Sequence, residues 1–201
     1  MAYVYVFQSG DEDLFKIGKT KRDVADRGRQ LATGNPRRLV LFDSIETEDA
    51  SRCETYLHGK LSSRRVAGQA REFFQLTPFE MADAIKDARE YIAEDLPKQR
   101  IAEELALSDV EGGILLPDEL HRHHHRELLR HREARYCIEV EITRHETALK
   151  LAIGTAEGID GVATWRSFPR SNFDQEAFRE AEPEMYQAFL RHTRFRQFRL
   201  L

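Results

Sequence analysis

Five side chains in the first sixty residues, Tyr5, Lys16, Arg27, Glu54 and His58, bring five different functional groups into one small stretch of chain. They are a phenol, an ammonium, a guanidinium, a carboxylate and an imidazole. In a strand, alternate side chains face the same way. Within YVYVFQSGDEDLFKIGKT (residues 3–20), Val4, Val6, Phe15 and Ile17 can therefore share one face, expected to be buried. Tyr5 and Lys16 then fall together on the opposite face, expected to be exposed. A free phenol titrates near ~10, too high for a base at neutral pH. An ammonium on the adjacent strand favours the phenolate. An ordinary half-solvated hairpin is the plainer reading. Glu54 and His58 are four apart, hence neighbours on one helical face, at the margin of a stripe formed by Cys53, Leu57 and Leu61. Arg27 borders the apolar positions of an earlier helix in the same way. Alone, each of these residues has an everyday explanation as a surface pair or a capping arginine.

The elements that must position these groups follow from periodicity and breakers. After the hairpin, RDVADRGRQLAT predicts a short helix with Val24, Gly28 and Leu31 on one face, stopped by Gly34–Pro36. RRLVLFDSI predicts a third strand, TEDASRCETYLHGKLSS a second helix, and REFFQL a short closing strand. Thr77, with Pro78 next and Glu80 three residues on, has the pattern of a capping box. The helix it opens is expected to run through Met81, Ala84, Ile85 and Ala88 to about Ala93. The order β-β-α-β-α-β-α describes a compact α/β domain over residues 1–96. A connector (97–117) follows, with a short helix and a Gly-Gly loop. Residues 118–201 read as one long helix, to about Ile153, and then a small module. In that module GIDGVATWRSF is expected to turn into a strand, residues 174–193 to be helical, and RFRQFRL to form a final strand.

Composition sets outer limits. The chain has 201 residues, 33% of them charged, with a net charge of −4. It has no basic-then-apolar leader and no apolar run of membrane-spanning length, which is read as a soluble, cytoplasmic protein without a membrane partner. Cys53 and Cys137 lack the spacing of a disulfide framework or a zinc site. Charge is unevenly distributed. Between Phe15 and Arg38, eight basic residues (Lys16, Lys19, Lys21, Arg22, Arg27, Arg29, Arg37 and Arg38) face only Asp23 and Asp26. Such a surplus in an otherwise acidic chain can focus on a polyanion.

The ordered series YVYV, FKIGKT, Arg27, TGNP, Glu54 with His58, and REFFQL resembles the GIY-YIG nuclease superfamily, in its phage-type branch that writes the second motif as KIG. The resemblance covers Tyr3 to Leu76. It aligns Tyr5 with the tyrosine of the first motif, Ile17 and Gly18 with the end of the second, Arg27 with the first-helix arginine, and Glu54 with the metal-binding glutamate. His58 and either Arg64 or Arg65 match basic positions common in this branch. Tyr3 replaces the first glycine, Lys16 the first tyrosine of the second motif, and Glu72 stands where many relatives have asparagine. The resemblance implies a metal-dependent endonuclease acting on DNA. Phosphodiester cleavage needs an activated water, charge stabilisation at the phosphoryl oxygens and help for the leaving oxygen. By this analogy Tyr5 is the base, Lys16 its tuner, Arg27 a phosphate clamp, and His58 an orienting or protonating group. Glu54 would hold one Mg²⁺ or Mn²⁺, since Mg²⁺ needs only one or two carboxylates alongside waters and phosphate oxygens. Lys19, Lys21, Arg22, Arg29, Arg37, Arg38, Arg64 and Arg65 would grip flanking phosphates without reading sequence.

The second half, from about Glu127 to Leu200, is similar to the C-terminal tail of YqaJ-type phage recombination exonucleases, through LKLAIG, GVATWRS and the FRL ending. Trp165, Phe173, Phe178, Tyr186, Phe189, Phe195 and Phe198 are expected to form its core. HRHHHR at residues 121–126 lacks a structural-zinc ligand set and is read as a solvated helix face. Two rival readings stand beside the nuclease. One is a non-catalytic DNA-binding module, and the other a recombination accessory that forms a homo-oligomer through the long helix.

Overall fold

A computed structural model describes residues 1–10, 12–33, 38–66, 71–110 and 112–201. The chain divides into two units, Met1–Ala106 and Leu107–Leu201.

In the first unit, β1 (Ala2–Ser9) and β2 (Leu14–Thr20) form the expected hairpin. With β3 (Leu39–Thr47) and β4 (Phe73–Gln75) they build an antiparallel sheet in the order β3-β1-β2-β4. The register sets Tyr5 opposite Gly18 and Phe7 opposite Lys16, so the parity inferred from sequence is the parity of the sheet. The element order is also the expected one, giving a mixed α/β fold. One sheet face carries Val4, Val6, Phe15 and Ile17. They are sealed by Cys53 and Leu57 of α2 (Ala50–Lys60) and by Met81, Ala84, Ile85 and Ala88 of α3 (Pro78–Glu90). A fully buried aliphatic or aromatic side chain contributes about 1.5–3 kcal/mol, and this layer holds more than ten of them. Thr77 makes the capping box with Glu80 at the start of α3.

The other sheet face departs from expectation. Rather than being open to solvent, it is roofed by α1 (Val24–Ala32), whose Val24 and Leu31 pack on Tyr5 and Phe7. Tyr5 is only 2% exposed. A half-solvated hairpin and a sheet covered on both faces share one strand pattern when the second face is aromatic, and α1 decides between them. Gly28 lies on this face because a Cβ there would meet the Phe7 ring at 3.1 Å.

Beyond α3, a π-helical turn at Tyr91–Asp95 leads directly into α4 (Leu96–Leu107). Arg52 of α2 bonds Glu103 of α4 at 2.7 Å, and the Tyr56 and Tyr91 rings stack at 4.5 Å. Much of the expected connector is thus tied back to the first unit.

In the second unit, α5 (Glu119–Ile153) is the long helix, about 52 Å from end to end at 1.5 Å per residue. Asp118 caps it by accepting from the His121 N–H at 2.8 Å, and Gly154 ends it at φ +56°. Charged pairs a turn apart, such as Lys150–Glu146 at 2.9 Å, line it. A two-residue hairpin of β5 (Gly158–Ile159) and β6 (Ala163–Thr164) follows, then α6 (Gln175–Ala181) and α7 (Pro183–Phe189), divided where Pro183 starts a new helix. The expected aromatic core is not formed. Trp165, Phe173, Phe189, Phe195 and Phe198 are each more than half exposed. RFRQFRL is not a strand, since an alternating segment needs a sheet edge to pair with and the β5–β6 ladder is two residues long. Among the described residues, no helix is long and apolar enough to cross a membrane.

Candidate active site

The site begins at a glycine. A Cβ on Gly18 would lie 2.4 Å from the Tyr5 hydroxyl and 2.7 Å from its Cζ. The missing side chain lets the Tyr5 ring cross from β1 over β2 and set its hydroxyl above Gly18. Lys16 stands on the same face, two residues back along β2. Its ammonium pairs with the Glu72 carboxylate and lies 4.9 Å from the centre of the Phe73 ring. Arg27 follows Val24 by one turn of α1 and precedes Leu31 by another, so it flanks the helix face that covers Tyr5. Its guanidinium donates to Gln30 Oε1 at 3.4 Å.

Glu54 and His58 come from α2, the helix on the opposite face of the sheet. They reach β2 where its outer edge opens, because β4 pairs only with Leu14, Phe15 and Lys16. The next residue, Ile17, has its N–H bonded to the Glu72 carbonyl and its own carbonyl 3.4 Å from His58 Nε2. The Nε2–H tautomer can donate to that carbonyl. The imidazole also meets the Phe74 ring edge-on at 5.1 Å. Glu54 Oε2 forms an ion pair with the Lys19 ammonium at 2.7 Å. Tyr5, Lys16 and Arg27 therefore lie on one side of β2 and Glu54 and His58 on the other: Tyr5 lies over Gly18, while His58 reaches the Ile17 carbonyl and Glu54 pairs with Lys19. The family resemblance would have Arg27, Glu54 and His58 converge on the face that carries Tyr5 and Lys16. Glu54 and His58 instead stand on the far side of the sheet from Tyr5, because α2 packs on the face of Val4, Val6 and Ile17, so the five do not form a one-faced site.

The basic residues have varied company. Lys21, Arg22 and Arg38 are exposed, and Lys19 with Lys21 lines a cleft of about 310 Å³ against the first turn of α2. Arg29 pairs with Asp26, and Arg64 bonds Glu80 at 2.7 Å. Arg65 donates to the carbonyls of Arg71 and His58 and stacks on Phe74. Arg37 lies outside the described residues. Burial pushes the Cys53 thiol up to about 11, so it stays protonated in the core and is no nucleophile.

Glu72 is the residue whose place sequence reasoning missed. It drew notice only as a replacement for asparagine, and the signal was present in that swap: a new acid close in space to a new lysine, Lys16. The pairing of Lys19 with Glu54 was likewise not foreseen, although parity sets Lys19 on the α2 face with Ile17.

Among the described residues, no three His, Cys, Asp or Glu side chains cluster as a ready-made ligand set. The donor chemistry at Glu54 still suits Mg²⁺ or Mn²⁺. It is one partly buried carboxylate that already holds a cation in the form of the Lys19 ammonium, and one carboxylate is enough protein share for a Mg²⁺ shell otherwise made of waters and phosphate oxygens. HRHHHR is a solvated stretch of α5, where His121 Nδ1 accepts from the Asp118 N–H at 3.2 Å.

Residues 2–92, just under half of the chain, match the T5orf172 domain, a GIY-YIG-related phage domain family. The match includes all five residues discussed above and ends before α4, leaving the similarity to YqaJ-type tails without support from it. No curated protein and no solved structure matches the chain.

Proposed function

We propose that the first unit is a metal-dependent endonuclease of the GIY-YIG type that cleaves DNA in a phage or prophage setting. The observation that carries this reading is the Tyr5 phenol laid across Gly18, next in sequence to Lys19, which pairs with Glu54 on the opposite face of the sheet. Tyr5 acts as the phenolate, taking the proton of the attacking water onto its phenolic oxygen, and Lys16 supplies positive charge on that side of the sheet. Arg27 holds the scissile phosphate by its planar fork. His58 braces the open end of the β2 edge through the Ile17 carbonyl and so sets where Glu54 stands. Glu54 is the residue that would hold Mg²⁺ or Mn²⁺, which when bound stabilises charge on the phosphoryl oxygens. Lys19, Lys21, Arg22 and Arg38 hold the flanking backbone, with Arg29, Arg37, Arg64 and Arg65 as further contacts.

A second reading, a DNA-binding module without catalysis, is favoured by one observation: Lys16 and Glu54 are both engaged in ion pairs. A plasmid-nicking assay with Mg²⁺, Mn²⁺ and EDTA separates the two. The nuclease reading expects nicking that EDTA stops, that Glu54→Ala abolishes and that Tyr5→Phe strongly slows, with DNA binding retained. Binding without nicking in the parent chain would establish the second reading. For the whole chain we propose a nuclease domain over residues 1–96 carried with the accessory unit of α5 and its tail, α5 being the candidate element for self-association.

A further inference from the structure

We propose that Lys19 and the divalent ion are alternative occupants of Glu54, and that Lys19 lowers the affinity of the free protein for that ion. The inference rests on the reading of Glu54 as the metal ligand and adds a residue that regulates its occupancy. Glu54 is 18% exposed, and Lys19 is its ion-pair partner at 2.7 Å. An ammonium at that distance fills the place of a cation bound directly to the carboxylate. A divalent ion brought to the same carboxylate meets direct repulsion from it, so Lys19 has to leave as the ion enters.

The fold allows that exchange. Lys19 lies past the last β2 residue paired with β4, on the open edge, and its side chain is 46% exposed, free to turn toward the cleft it shares with Thr20 and Lys21. Lys16 cannot stand in for it. It projects from the opposite sheet face, is 12% exposed and is held by Glu72. The two lysines of KIGK thus have separate duties, and the three-residue spacing that puts them on opposite faces is the reason.

The test is Mn²⁺ binding to the full chain without nucleic acid, read by the electron paramagnetic resonance signal of free Mn²⁺. The set comprises the parent, Lys19→Met, Lys19→Gln, Lys19→Arg and Glu54→Gln. Removing the ammonium is expected to tighten Mn²⁺ binding about fivefold, the upper end of what an exposed ion pair contributes. Lys19→Arg should bind as the parent does, and Glu54→Gln should lose the site. If Glu54→Gln loses it while Lys19→Met and Lys19→Gln bind no tighter than the parent, competition is overturned and the metal role of Glu54 stands. If Glu54→Gln binds as well as the parent, or none of the chains binds Mn²⁺, both ideas fall.

Discussion

Val4, Val6, Phe15, Ile17, Leu57 and Phe74 are sealed between the sheet and its helices in the first unit, while Phe173, Phe189, Phe195 and Phe198 of the second face solvent. Among the described residues, Ile153 is the only hydrophobic side chain of the second unit that is buried. Both stretches are rich in apolar residues at regular spacing. They differ in what lies opposite: the first unit has a four-stranded sheet with helices on both faces, and the second has one long helix, two short ones and a two-residue ladder. Periodicity nominates a face for burial, and only a facing layer buries it.

The strongest way to break that contrast is to truncate matched aromatics. Phe74→Ala should cost about 3–5 kcal/mol in thermal or denaturant unfolding, as expected for a fully buried phenylalanine. Phe189→Ala should stay within about 0.5 kcal/mol, as surface changes do. Equal costs would show that the second unit has a core after all.

Gly18→Ala tests whether the same tight packing reaches the candidate site. The added Cβ overlaps the Tyr5 ring, and overpacking of this kind costs about 1–3 kcal/mol. The loss should shrink when Tyr5 is also replaced by Leu, as a double-mutant cycle would measure. An additive pair would mean that Gly18 is needed for some other reason.

Thr77→Ala probes the boundary helix of the first unit and should cost about 1 kcal/mol. The hydrogen bonds from the Thr77 backbone and hydroxyl hold the Glu80 carboxyl below its usual range. A lowered carboxyl stabilises the fold above its ordinary titration range and loses that contribution as pH falls through the lowered value. Alanine keeps the Thr77 N–H but loses the hydroxyl. The part of the cost that comes from the hydroxyl's bond to the Glu80 carboxylate should therefore be greatest near neutral pH and fade in acid, while the part from the lost cap bond to the Glu80 N–H persists. A cost wholly independent of pH would remove the Glu80 carboxylate from the account. The smallest effect is expected from ending the chain after Ala106. Residues 1–106 should keep the unfolding midpoint of the full chain's first transition, and a large drop would show that the second unit supports the first.

Much of the first unit was legible because its signals are local. Strand parity put Tyr5 and Lys16 on one face, Thr77–Glu80 marked a helix start, and the order of short motifs pointed to a nuclease-like site. The extent of the long helix, from residue 118 to about Ile153, was legible as well. The tertiary structure decided what depends on partners distant in the chain. α1 turned an exposed tyrosine face into a second core layer, and the short reach of β4 opened the edge where Glu54 and His58 meet β2. Glu72 and Glu54, 56 and 35 residues from their lysines, claimed the two ammonium groups. Pairing between charges far apart in sequence is set by which elements pack together, and no local pattern encodes it. The aromatics of the tail show the same limit from the other side, since their spacing could not disclose that no layer stands opposite them.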